Sequence, residues 1–293
     1  MRFAASLIGS LISGRYELRE HIFTSDMSSV FKAWDCQEDR FVVVKISTDS
    51  AEHNNLVECL KREAMALQRI NHPHVVRWLD SGNIGASHFI VLEYIPGSNL
   101  ADRIHRQGSL TLDLAISAGV DILDGLKAIH EEEMVHRDLK PENLIVTRVG
   151  VKIIIIDLGL VVSAPNAEQK MDSIDIPGMV SGTLPYLSPE QARGFGGLDG
   201  RSDLYACGIV LYELLTGTLP FYKFKEGGRM VKYWEGPLRP FWGVSPPVHV
   251  PDKVQAIVWK ALAVDPKDRY QTAEEMRTAL LEVLEIYVKI PVS

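Results

Sequence analysis

The stretch "HRDLKPEN", residues 136–143, decides the fold, and it lies between a predicted helix and a predicted strand. On its N-terminal side, residues 111–133 have a long apolar face at helical spacing, with Thr111 as the candidate cap. On its C-terminal side, "ENLIVT" and "VKIIIID" predict two short strands. A loop that regular elements hold in place, and that carries acidic, basic and amide side chains, is a common location of catalytic residues.

The residue types in this loop suit phosphoryl transfer, which needs an oriented acceptor, metal ions and cations for the developing charge. Asp138 can accept a hydroxyl proton, Lys140 can reach the transferred group, and Asn143, five residues after Asp138, can bind a metal. Asp157 follows a strand fourteen residues later and can bridge Mg²⁺ to phosphates. Asp138 or Asp157 alone is equally well a turn or strand-end residue, but the ordered set favours a phosphoryl-transfer site.

The segment before the loop predicts a small sheet with one helix. Residues 15–46 alternate apolar runs with turn residues, which predicts three strands, and residues 52–70 have helical spacing closed by "NHPH". Two more strands follow, in "VVRWLDSG" and "HFIVLEYI". The turn-forming residues "PGSN" come next and mark the boundary between the two lobes. The segment after the loop predicts helices, among them a buried one in "SDLYACGIVLYELLTG", with Ser202 as its cap and Gly217 at its end.

These residues together resemble the catalytic core of the protein kinases, from about residue 15 to residue 285. "FVVVK" aligns with the Val-Ala-Ile-Lys strand of that family, and "SGTLPYLSPE" aligns with the end of its activation segment. Lys140 and Thr183 are typical of Ser/Thr kinases, and "YLSPEQARG" is most similar to the eukaryotic-like Ser/Thr kinases of bacteria. The resemblance implies an α+β, two-lobed protein-kinase fold, with a small antiparallel β-sheet N-lobe that has one helix and a mostly α-helical C-lobe. We predict a leader over 1–14, the N-lobe over 15–95, the C-lobe over 96–288 and a tail over 289–293.

The resemblance also implies a role for individual residues. Lys45 would hold the α- and β-phosphates of ATP with Glu63 as its ion-pair partner, and Asn143 and Asp157 would bind Mg²⁺. Asp203 would hold the backbone of the catalytic loop, and Arg269 would pair with Glu190. The remaining residues that the resemblance places around the nucleotide are Ile22, Val30, Val43, Leu92, Glu93, Ile95 and Ile145.

The sequence departs from the family in the glycine-rich loop. Alignment on Val30 and Lys45 places the three loop glycines of the family at Phe23, Ser25 and Ser28. Glycine lets backbone amides approach phosphate oxygens there, and Asp26 would add a like charge near them. Val43 also replaces a smaller alanine. These changes predict weak nucleotide binding, while the residues that the chemistry needs are all present.

We therefore expect a protein Ser/Thr kinase that uses ATP and Mg²⁺ and acts on protein substrates. The alternative is a pseudokinase scaffold that binds nucleotide weakly or not at all. The net charge of −7 gives no reason to expect a nucleic-acid partner, and no apolar run is long enough to span a membrane. Three scattered cysteines suit a reducing, cytoplasmic compartment. The opening residues 1–14 have some features of a signal peptide, but we favour a short leader. The sequence leaves the oligomeric state open.

Overall fold

The computed structural model describes eleven segments of the chain, which are residues 6–25, 28–47, 54–149, 151–158, 162–163, 184–194, 198–221, 225–226, 229–230, 237–245 and 248–288. These segments form two compact units. The N-terminal unit contains the chain up to Pro96 together with Asp157 and Leu158, and the C-terminal unit contains the remainder. In the part of the chain that is described, no helix has both the length and the apolar character that crossing a membrane requires.

The N-terminal unit is a six-stranded antiparallel sheet with the strand order β1-β2-β3-β4-β6-β5. Its helix, α1, spans Asn54–Arg69. The strands are β1 (Leu11–Ile12), β2 (Tyr16–Thr24), β3 (Ser28–Asp35), β4 (Arg40–Ser47), β5 (Trp78–Ile84) and β6 (Ser87–Glu93).

Strand β4 shows how the sheet separates core from site. Val42 and Val44 are fully buried in the core of this unit, whereas Val43 and Lys45 point to the opposite, partly exposed face. The neighbouring strands are in register, so Val30 pairs with Lys45. The face that the sequence assigns to the nucleotide is therefore one continuous surface of β3, β4 and β6.

The C-terminal unit is mostly helical. Its described helices are α2 (Leu100–Gln107), α3 (Leu112–Glu131), α4 (Pro189–Ala192), α5 (Gly200–Thr216), α6 (Asp252–Ala261) and α7 (Ala273–Val288). Its short strands are β7 (Gly97–Asn99), β8 (Met134–Val135), β9 (Leu144–Thr147), β10 (Ile153–Ile155), β11 (Val162–Ser163), β12 (Lys225–Glu226) and β13 (Arg229–Met230). β9 lies between β7 and β10, and β8 pairs with β11.

Helix α5 is the centre of this unit, and it is buried on nearly all sides. Gly119 of α3 lies so close to it that an added Cβ would meet Leu211 of α5 at 2.6 Å and Leu280 of α7 at 2.9 Å. The three helices therefore pack directly on one another. Helix α5 ends at Gly217, whose φ of 71° is in the left-handed region that favours glycine.

The described residues confirm the α+β prediction, with a small antiparallel sheet packed with helix α1 in the first unit and a mostly helical second unit. The local structure differs in detail from the sequence-based prediction at three places. The segment "PGSN", predicted as a turn, contains β7. Its Asn99 is the N-cap of α2, a helix that the sequence analysis did not predict. The cap of α5 is Asp199, because Ser202 lies inside the first turn and donates to Glu190 at 2.8 Å. Part of the predicted leader forms β1, and Ile12 is buried in the core of the N-terminal unit.

Candidate active site

Lys45 is the centre of an ionic cluster in the N-terminal unit. Its Nζ donates to Oε2 of Glu63, on α1, at 2.7 Å and to Oδ1 of Asp157 at 3.1 Å. The Glu63 side chain is only 1% exposed, whereas the Asp157 side chain is 38% exposed. Glu63 is therefore a fixed partner of the lysine, and Asp157 is the carboxylate that a ligand can reach.

The charges of this cluster depend on one another. Burial lowers the pKa of Lys45, but the carboxylates of Asp157 and Glu63 more than offset burial and raise the pKa above its ordinary value. Burial raises the pKa of Glu63, and the Lys45 ammonium opposes that shift. Lys45 therefore keeps its proton, and it presents a fixed positive charge on the strand face where the sequence places phosphates.

Asp138 is the centre of the catalytic loop in the C-terminal unit. Its Oδ2 accepts from Lys140 Nζ at 2.7 Å and from Asn143 Nδ2 at 3.1 Å. Its other oxygen, Oδ1, is buried and has no hydrogen-bond partner among the described residues. The Asp138 side chain as a whole is 14% exposed, and a carboxylate oxygen without a donor keeps lone pairs that can accept a further hydrogen bond.

Asp203 of α5 binds the backbone of this loop through hydrogen bonds. Its two carboxylate oxygens accept from the amides of His136 and Arg137, each at 2.8 Å, as the resemblance implied. His130 Nε2 donates to the same carboxylate at 2.8 Å. Burial raises the pKa of Asp203, but hydrogen bonds and nearby positive charge outweigh burial and lower it. Asp203 therefore stays ionised while fully enclosed.

The backbone at Arg137 has a φ of 69°, a left-handed conformation that is uncommon for a residue other than glycine. Gln191 Nε2 donates to the carbonyl of Arg137 at 2.9 Å, so the turn is held from a second side. Further away, Arg269 forms a two-point ion pair with Glu190 at 2.7 and 2.8 Å. That pair is also the one that the resemblance implied.

The residues assigned to the nucleotide base lie on described strands. Val30, Val43 and Leu92 lie on β3, β4 and β6, where Val43 pairs with Leu92. Val30 and Val43 are partly exposed, whereas Leu92 is buried. Ile22 is 50% exposed and lies at an irregularity in the pairing of β2 with β3. The remaining assigned residues are Glu93, whose amide donates to the Arg77 carbonyl at 3.0 Å, the half-buried Ile95, and the half-buried Ile145 on β9 of the C-terminal unit.

The glycine-free loop is tied together by its own side chains. The amide of Ser25 donates to the carbonyl of Ser28 at 2.9 Å, and the amide of Ser28 donates to Ser25 Oγ at 3.1 Å. Beside this turn, Thr24 Oγ1 is hydrogen-bonded to His21 Nε2 at 2.7 Å and to Ser29 Oγ at 3.0 Å. The amides of Ser25 and Ser28, which a glycine-rich loop would offer to phosphates, are therefore already hydrogen-bonded within this loop. Phe23 is exposed, and Asp26 and Thr183 lie outside the described residues.

Taken separately, each unit has groups of the kind that bind ATP and Mg²⁺. The amide nitrogen of Asn143 donates to the Asp138 carbonyl at 2.8 Å, so the amide oxygen is the atom that a cation would meet. Asp157 adds an accessible carboxylate, and both are the hard oxygen ligands that Mg²⁺ prefers. Lys45 supplies the positive charge that a triphosphate needs.

Sequence reasoning missed His130 and Gln191, which support the catalytic loop. His130 stands six residues before His136 on a predicted helix, and no spacing rule relates it to an aspartate in another helix. Gln191 immediately follows Glu190, and only the folded chain shows that its amide reaches the Arg137 carbonyl.

Comparison with known proteins relates this chain to a family and to several curated proteins. The family model described as the protein kinase domain matches residues 16–281. A probable serine/threonine-protein kinase of Clostridium perfringens is 37% identical over 273 residues, covering 92% of this chain and 38% of that protein. Serine/threonine-protein kinase PrkC of Bacillus subtilis is 37% identical over 273 residues, covering 92% and 40%. Serine/threonine-protein kinase PknB of Mycobacterium tuberculosis is 36% identical over 285 residues, covering 94% and 44%. The chain thus spans about two fifths of the length of these curated relatives.

Proposed function

We propose, from the premise that this chain belongs to the protein kinase family, that it transfers the γ-phosphoryl group of ATP to Ser or Thr hydroxyls of protein substrates. The observation that carries the proposal is the Asp138 carboxylate, which Lys140 and Asn143 hold through Oδ2, which is 14% exposed, and whose Oδ1 has no donor among the described residues. A substrate hydroxyl is a donor of the right kind, and the carboxylate would orient it and accept its proton.

The other residues of the catalytic loop support this role. Lys140 contacts the same carboxylate at 2.7 Å, so a cation would lie beside the transferred group as its negative charge develops. Asn143 donates to the same carboxylate oxygen, Oδ2, at 3.1 Å. Asp203 and Gln191 hold the loop backbone, which keeps Asp138 in one orientation.

Lys45 would bind the α- and β-phosphates, and Glu63 would keep the lysine in place. The face with Val30, Val43 and Leu92 would contact the adenine. Asn143 and Asp157 would bind Mg²⁺. When bound, Mg²⁺ neutralises phosphate charge and orients the phosphoryl group for transfer. The three cysteines, which are all free, support a reducing, cytoplasmic setting for the reaction.

Incubation with labelled ATP, Mg²⁺ and a generic acceptor protein such as casein tests this function. We expect label on Ser or Thr of the acceptor with the parent protein and none with Asp138→Asn, which keeps the shape of the side chain but cannot accept the proton. A matched control is Asp102→Asn, a change to an exposed residue near the start of α2. Parent protein that binds ATP but transfers no label to itself or to any acceptor would support the scaffold alternative.

A further inference from the structure

A cation lies between two aromatic rings on the sheet of the N-terminal unit. Lys32 Nζ is 4.2 Å from the ring centroid of Phe41 and 4.5 Å from that of Tyr94. Trp34 packs edge-on against Phe41, with ring centroids 4.8 Å apart. We name Lys32, Phe41 and Tyr94 the lysine clamp.

The lysine clamp borders the residues assigned to adenine. Lys32 on β3 pairs directly with Val43 on β4, which pairs in turn with Leu92 on β6. The three side chains therefore form one row across the sheet. Because Phe41 is two residues before Val43 on the same strand, its ring lies on the same face as Val43.

Tyr94 joins the clamp to the segment that would hold the edge of the base. It stands between Glu93 and Ile95, whose backbone groups are assigned to adenine, and it comes directly after the end of β6. Backbone beyond the end of a strand lacks the hydrogen bonds of the sheet, so side-chain contacts are needed to restrict its conformation. Here the Tyr94 ring is fastened to β3 through Lys32 and lies 6.0 Å from the ring of Phe41 on β4.

We infer that the lysine clamp positions the segment Glu93–Ile95 for the nucleotide, so that Lys32 is a positioning residue for ATP binding although it has no assigned contact with ATP. This inference rests on the proposed function. The Lys32 ammonium attracts the rings of Phe41 and Tyr94 at the same time. Each ring restricts the position of the lysine, and the restricted lysine in turn holds the other ring in place. A segment already fixed in its binding conformation loses less entropy when ATP binds.

The test compares Lys32→Met with Lys32→Arg. Methionine keeps an unbranched apolar stem and removes the charge, whereas arginine keeps a cation that stacks on aromatic rings. We expect Lys32→Met to raise both the KM and the calorimetric Kd for ATP roughly three- to tenfold, which matches the loss of one or two partly exposed cation–π contacts, with kcat unchanged. Lys32→Arg should stay close to the parent. Lys61→Met, at an exposed lysine on α1, is the matched control and should change neither constant.

A second measurement uses the protein without nucleotide. Hydrogen exchange of the Tyr94 and Ile95 amides should become faster in Lys32→Met and not in Lys32→Arg. A Lys32→Met protein with parental Kd for ATP and parental exchange at these amides would overturn the inference while leaving the proposed function intact. Equal losses in kcat and in thermal stability, with KM unchanged, would likewise overturn it, because they would indicate a general structural role. If the parent neither binds ATP nor transfers phosphate, the proposed function fails as well, so the two failures are distinguishable.

Discussion

Replacement of Ser25 by glycine is expected to tighten ATP binding, because Ser25 occupies an amide that a glycine-rich loop would offer to phosphate. The Ser28 amide donates to Ser25 Oγ at 3.1 Å in the free protein. Ser25→Gly removes this acceptor and allows the amide to turn toward a phosphate oxygen. The second bond of the turn, from the Ser25 amide to the Ser28 carbonyl at 2.9 Å, does not need the side chain and should persist.

The expected change in the free energy of ATP binding follows from the hydrogen bonds and the backbone freedom that differ between the variant and the parent. The variant lacks both bonds of the Ser25 hydroxyl, from the Ser28 amide at 3.1 Å and to the Ser28 carbonyl at 3.3 Å, in the free and in the bound protein alike, so their loss does not enter the Kd. On binding ATP it gains a charge-assisted bond of about 1.5–3 kcal/mol. Glycine also makes the free loop more variable, at a cost of roughly 0.5–1 kcal/mol. The net gain is about 0.5–2.5 kcal/mol, which is at least about twofold in the KM for ATP. The kcat should change little, because Asp138 is unaltered.

Steady-state kinetics at varied ATP, with calorimetry for the Kd, measure this effect. Ser25→Ala is the matched control, because it removes the same hydroxyl without adding backbone freedom, and it should tighten binding at least as much. The reasoning is refuted if both variants bind ATP more weakly than the parent. The Ser25 hydroxyl would then be a phosphate contact itself, and the loop would be a different solution to nucleotide binding rather than a weakened one.

Asp157→Ala should abolish phosphoryl transfer and shift the apo melting temperature little, because the side chain is 38% exposed; near-parental transfer would remove Asp157 from the metal site. Arg269→Met leaves the Glu190 carboxylate without its ion-pair partner and should cost about 3–5 kcal/mol of unfolding free energy in urea titrations, whereas a loss below about 1 kcal/mol would mean that the pair is replaceable. The pKa of Asp203 is lowered in the folded protein, so its stabilisation is present above the ordinary pKa of ~3.9 and is lost as pH falls through the folded value. Urea midpoints of Asp203→Asn should therefore depend less on pH below ~3.9 than those of the parent, and parallel profiles would contradict this.

Local pattern was enough to predict much of this protein. The alternation in "FVVVK" separates buried Val42 and Val44 from Val43 and Lys45 without any knowledge of neighbouring strands. The strands around the catalytic loop and the end of α5 at Gly217 also follow from periodicity and from glycine chemistry. The family resemblance then paired Lys45 with Glu63, a contact that spacing alone does not reveal.

The sequence by itself thus predicted which side chains form the proposed site, because their order and their periodicity along the chain are local properties. Only the tertiary structure decided how they are held. The bond from Gln191 to Arg137 joins residues 54 positions apart, and the bond from His130 to Asp203 joins residues 73 apart. The lysine clamp likewise depends on how three separate segments meet. The hydrogen bonds between Ser25 and Ser28 depend on which of several nearby acceptors each amide and hydroxyl meets. Packing and hydrogen-bond geometry in three dimensions determine these contacts, and the separation of two residues along the chain does not predict them.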